Sequence, residues 1–125
     1  MWTIVMIALG AAVGANLRYL VSLWAAEWWG TAFPYGTMLI NVAGSLAIGV
    51  AMAILTTRIG LSPLWRPLIV TGLLGGFTTF STFSYETYGQ ILIGNWIAAG
   101  LNIALSVGLG LVGVFLGVAI VRMLL

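Results

Sequence analysis

Four long apolar runs make up most of this chain, and short polar knots separate them. A helix needs roughly 20 apolar residues to cross the hydrocarbon core of a bilayer. The pattern predicts transmembrane helices at about 2–26, 34–57, 64–93 and 96–124, forming a single domain over 1–125. Glu27-Trp28-Trp29-Gly30 closes the first run, where tryptophans and an acid suit the membrane interface. Pro34 fits an opening helical turn. Ser62 as N-cap with Pro63 behind it predicts the start of the third helix, and Gly94-Asn95 reads as the turn before the fourth. The third run is unlike the others. It holds Gly75-Gly76-Phe77-Thr78-Thr79-Phe80-Ser81-Thr82-Phe83-Ser84. Paired glycines weaken a helix, so a break is expected near 75–79. Backbone freed at membrane depth is tolerated only where protein buries it or a wet cavity meets it. Half-helix ends of this kind commonly hold ions.

Composition narrows the chemistry. The chain has 125 residues, 62% hydrophobic and 5% charged, which no soluble domain of this size can bury. The class is therefore an all-α integral membrane protein, with the lipid bilayer as its surroundings. Histidine and cysteine are absent, which removes the usual proton shuttle, thiol chemistry and the commonest transition-metal ligands. Two acids and no histidine or cysteine also argue against an enzyme. Four arginines are scattered, with no basic stripe, so nucleic-acid binding has no support. The first run has no basic leader and carries Arg18, so it is expected to be a retained helix and not a signal peptide.

Polar residues at membrane depth are costly and are candidates for function. Thr37 and Asn41 lie one turn apart in the second helix. The third carries Thr71, the Thr/Ser run and Glu86, and the fourth carries Asn102 and Ser106, again four apart. For a single Ser or Thr, an interhelical hydrogen bond is the plainer role. For Asn41 and 78–84 several costly features coincide. Thr79, Thr82, Phe83 and Glu86 share one helical face beside Phe80 and Ser84. Ring edges carry partial positive charge, so an anion can rest against them and against Asn or Ser donors. Such contacts bind firmly enough to replace water and weakly enough to release. Arg18 can snorkel, pair with Glu86, or attract anions at an entrance. The pairs Gly10/Gly14 and Gly113/Gly117 are expected to pack helices closely.

These residues resemble the Fluc/CrcB fluoride channel family. Gly75-Gly76-x-Thr78-Thr79-Phe80-Ser81-Thr82-Phe83-Ser84 with Glu86 is similar to its long third-helix signature. Gly14 with Arg18-Tyr19 resembles its first-helix motif, and Gly36-Thr37-x-x-x-Asn41-x-x-Gly44 its second. The resemblance spans essentially the whole chain. It implies an antiparallel, dual-topology homodimer in a bacterial inner membrane, which passively exports fluoride and lowers its toxicity. By resemblance, Asn41 donates to the ion, and Phe80 and Phe83 supply ring edges. Ser81, Thr82, Ser84 and Ser106 offer hydroxyls, with Glu86, Thr37 and Arg18 along the same pathway. Gly75 and Thr78 would give backbone carbonyls to a structural sodium ion at the dimer centre, one pair from each copy. In the fourth helix Asn102 and Gly110 stand where family members often carry other polar groups.

The alternative is a small multidrug-type, proton-coupled exporter using Glu86 as its membrane carboxylate. A non-transporting assembly subunit would leave the Gly-Gly break and its hydroxyl run unexplained.

Overall fold

The computed structural model describes residues 1–58 and 60–125. Helix α1 runs Trp2–Trp29 and α2 runs Tyr35–Thr57. The third span is composite. A π-helical stretch, Pro67–Leu74, leads into a short α-helical turn, Gly75–Phe77, and together they are called α3. Thr78 and Thr79 are extended, and α4 then runs Phe80–Leu92. Helix α5 runs Trp96–Leu124. The spans Trp2–Trp29, Tyr35–Thr57, Pro67–Leu92 and Trp96–Leu124 are each long and apolar enough to cross a membrane.

Several ends differ from the sequence expectation. Helix α1 continues three residues past 26, through Glu27 to Trp29, until Gly30 at φ 71° stops it. Helical backbone in the third span begins at Trp65, close to the expected 64, and turns π-helical at Pro67. A proline is most at home in the first turn, where its missing N–H is not needed. Ser62 accepts only a long bond from the Leu64 N–H, at 3.4 Å. Asn95 caps α5, accepting from the Ala98 N–H at 3.2 Å.

The glycines also act differently from the expectation. Gly75 and Gly76 are helical, and the extended residues are the two threonines after them. Gly76 serves close approach instead: a Cβ there would lie 2.8 Å from the Ala11 carbonyl oxygen. The same device recurs along the α1–α3 seam. A Cβ at Gly10 would collide with the Leu68 carbonyl, and one at Gly14 with the Leu73 carbonyl. On the other side of the molecule α5 lies against α2, where a Cβ at Gly117 would meet the Val50 nitrogen at 2.8 Å. Both GxxxG pairs thus pack helices within one chain. Helix α4 leans on α5.

Candidate functional site

The site is built around the extended pair. Asn41 on α2 reaches the main chain of Thr79 and holds it from both sides. Its Nδ2 donates to the Thr79 carbonyl at 2.9 Å, and its Oδ1 accepts from the Thr79 N–H at 2.8 Å. Thr79 is in turn the N-cap of α4, its hydroxyl accepting from the Thr82 N–H at 3.2 Å. The same hydroxyl donates to Thr82 Oγ1 at 3.1 Å and lies 3.4 Å from Ser81 Oγ. With this polarity, the proton on Thr82 is uncommitted among the described residues.

This arrangement strips two carbonyls of their usual donors. In an α-helix the N–H of residue 79 would serve the carbonyl of 75, and that of 82 the carbonyl of 78. Here Thr79 N–H goes to Asn41, and Thr82 N–H goes to the Thr79 hydroxyl. The Gly75 and Thr78 carbonyls are left as strong, bypassed acceptors on a partly exposed surface of the chain. Uncharged oxygens without donors fit a small hard cation, and Gly75 and Thr78 are the residues that the family resemblance implies for sodium.

Two cavities adjoin the break, and a third lies beyond them. The first, about 330 Å³, is lined among others by Asn41, Ser45, Gly75, Thr78, Thr79, Phe80, Phe83 and Ser106. The Phe80 and Phe83 rings lie 5.7 Å apart at 45°. Phe83 is buried, whereas Phe80 is 78% exposed. The second, about 270 Å³, is shared by Arg18, Tyr19, Ser22, Thr37, Thr79 and Thr82. The third, about 290 Å³, contains Ser22, Thr37, Glu86 and Gln90. Thr79 borders the first and second, and Thr37 borders the second and third. The cavities therefore follow one another along a polar line from Ser106 to Glu86.

Donors facing the first cavity are mostly engaged. Ser45 donates to the Asn41 carbonyl at 2.7 Å, and Thr78 to the Leu74 carbonyl at 2.9 Å. Ser106 donates to Asn102 Oδ1 at 3.1 Å. Asn41 keeps a second N–H beyond the one on Thr79. That N–H and the ring edges of Phe80 and Phe83 are electropositive features of residues that line the space.

In the third cavity the Thr37 hydroxyl donates to Glu86 Oε1 at 2.9 Å, while Glu86 Oε2 is buried without a hydrogen-bond partner. Glu86 thus takes its hydrogen bond from Thr37, and Arg18 lies in the neighbouring cavity. Ser81 and Ser84 stand on the exposed side of α4, outside these three cavities. The Ser84 hydroxyl donates to its own helix, to the Phe80 carbonyl at 2.9 Å.

The hydrogen-bond partners of two buried polar residues were not legible in the sequence. Gln90 is buried and donates to the Ala32 carbonyl at 2.9 Å, tying α4 to the α1–α2 connection. Asn102 has no exposed surface and bonds across to Thr87 on α4 at 2.9 Å. Only the spacing of Asn102 from Ser106 hinted at a shared role.

Comparison with known proteins agrees with this architecture. Residues 5–118 match the family model described as CrcB-like protein, Camphor Resistance (CrcB). A protein of Roseiflexus sp. (strain RS-1) named "Fluoride-specific ion channel FluC" is 59% identical over 121 residues, covering 97% of this chain and 98% of the relative. A relative of the same name from Chloroflexus aurantiacus is 53% identical over 120 residues, covering 95% and 94%. Another, from Sulfurihydrogenibium sp. (strain YO3AOP1), is 41% identical over 118 residues, covering 94% and 95%. With its four membrane-spanning segments and a match that covers nearly all of its length, this chain is a multi-pass membrane protein of the CrcB family.

Proposed function

We propose that this protein is a fluoride-selective passive channel, working as an antiparallel pair of identical chains in a bacterial inner membrane. It carries fluoride out of the cytoplasm and thereby lowers its toxicity. The protein is a conduit and not an enzyme. The observation that carries the reading is the first cavity, where two phenylalanine rings and one uncommitted asparagine N–H meet beside an extended main chain. A small anion gains ring-edge and amide contacts there without meeting a full positive charge. Beyond it, Thr82, Thr37 and Glu86 continue the polar line, and Arg18 beside Thr82 draws anions toward it. Relatives at 41–59% identity carry the name of a fluoride-specific ion channel, which supports fluoride as the permeant ion.

The second copy is supported by surface chemistry. Gly75 and Phe80 are exposed on the single chain, next to the bypassed carbonyls of Gly75 and Thr78. Lipid satisfies no carbonyl, so another polar or protein surface must cover this patch. Two copies would bring four carbonyl oxygens around one structural sodium ion. The sodium would hold the pair together and would not be transported.

The test is fluoride efflux from liposomes containing the purified protein, with sodium present and chloride as control. Rapid fluoride loss without chloride loss is the expected result. Dimeric protein that passes no fluoride would overturn the reading and redirect attention to proton-coupled transport through Glu86.

A further inference from the structure

The hydrogen-bonded chain that leads from the first cavity into α5 has a forced polarity. The Phe83 main-chain carbonyl can only accept, so the Thr87 hydroxyl donates to it, at 2.8 Å. The Thr87 oxygen must then accept from Asn102 Nδ2, at 2.9 Å. This fixes the amide with its oxygen toward Ser106, and that oxygen takes the Ser106 proton at 3.1 Å. Thr87, Asn102 and Ser106 are all buried, so water does not compete for these bonds. Ser106 therefore turns lone pairs, not its proton, toward the cavity that it shares with Asn41, Phe80 and Phe83.

The other hydroxyls on that cavity are tied more loosely. Ser45 and Thr78 donate to main-chain carbonyls four residues back. The Leu74 carbonyl also takes the Thr78 N–H, at 3.0 Å, and so keeps a partner if the hydroxyl swings away. Asn102 Oδ1 has no second donor among the described residues. A Ser106 hydroxyl that turned toward an anion would leave a fully buried amide oxygen unsatisfied.

We infer that Asn102 is a positioning residue which, held by Thr87, keeps the Ser106 proton away from the cavity and so keeps anion binding there weak. The inference rests on the channel reading. Its effect is on release: an ion that leaves easily is conducted, and an ion gripped by one more donor lingers.

Two variants test this from different directions. Asn102→Leu removes the acceptor at similar volume. Thr87→Val removes the partner that orients the amide, so the amide can turn its N–H to Ser106 and release the serine proton. Fluoride flux into liposomes is measured against fluoride concentration for both variants, each also combined with Ser106→Ala. Both single variants should lower the half-saturating fluoride concentration, by about tenfold, the equivalent of one buried hydrogen bond. The shift should vanish in the Ser106→Ala background, which a merely structural role would not produce. An unchanged or raised half-saturating concentration in folded, dimeric Thr87→Val or Asn102→Leu protein overturns the inference, as does a shift that persists without Ser106. Wild-type protein that passes no fluoride would instead bring down the channel reading itself.

Discussion

Asn41 grips both the N–H and the carbonyl of Thr79, 38 residues away, at 2.8 and 2.9 Å. One primary amide thereby does for an extended residue what a neighbouring strand does in a sheet. It satisfies a peptide unit that has no helical partner, at a depth where water is scarce. Replacing Asn41 by Leu leaves both groups unpaired. The expected cost is about 2 kcal/mol of stability, together with loss of fluoride flux. Thermal unfolding in detergent and liposome efflux check the two parts. Asn41→Asp retains the acceptor for the Thr79 N–H and should lose more flux than stability.

Phe80 and Phe83 separate packing from conduction. Phe80 is exposed on the single chain, so Phe80→Ile should leave the stability of that chain nearly unchanged. Phe83 is buried, and Phe83→Ile should cost about 1 kcal/mol. Both should depress fluoride flux strongly, because an aliphatic group offers no ring edge. Wild-type flux in both variants would remove the rings from the mechanism.

Gly75 offers a clean probe of the paired state. A Cβ there would meet only the Val70 carbonyl oxygen, at 3.6 Å, an ordinary contact within the chain. Gly75→Ala should therefore fold normally as a single chain. If the Gly75 carbonyl holds sodium between two copies, the variant should show a weaker dimer with less dependence on sodium. Dimer dissociation measured by dilution, in sodium and in a large organic cation, decides the matter. An unaltered dimer and sodium response would count against the sodium site.

Thr37 supplies the hydrogen bond that the structure gives Glu86, at 2.9 Å. Thr37→Val leaves both Glu86 oxygens without a donor, so the carboxylate should leave its present position. Fluoride flux should fall several-fold while helix content by circular dichroism stays unchanged. Glu86→Gln in the same assay should retain passive flux, and a flux that then required a proton gradient would favour coupled transport.

Gly14 makes the opposite kind of prediction. Its missing side chain is the space occupied by the Leu73 carbonyl. Gly14→Val should cost about 3 kcal/mol or prevent folding altogether, readable as loss of monodisperse protein on extraction. Gly100, where a Cβ meets nothing within 4 Å, is the matching control.

Much of this was legible in the residue order. The four spans follow from apolar length alone, and the hydroxyl run with Asn41 and Glu86 marked the polar line. The location of the extended residues was not legible. Glycine propensity points to Gly75-Gly76, but tertiary contact with Ala11 employs Gly76 as a spacer, and the Asn41 amide stabilises extension at Thr79 instead. Polarity of the hydroxyls was equally hidden. Whether Ser106 or Ser84 presents a proton depends on which acceptor lies nearest, Asn102 for one and the Phe80 carbonyl for the other. Periodicity along a sequence carries no record of such choices between segments.

The α1–α3 seam, where glycine backbone meets carbonyl backbone, has a consequence for how such a protein can be altered. Main chain touching main chain has no rotamers to repack, so every enlargement at Gly10, Gly14, Gly72 or Gly76 is refused outright. Diversity introduced there would be wasted in a selection experiment. A library meant to shift ion preference should be confined to residues whose side chains line the first cavity, such as Ser45, Phe80 and Ser106.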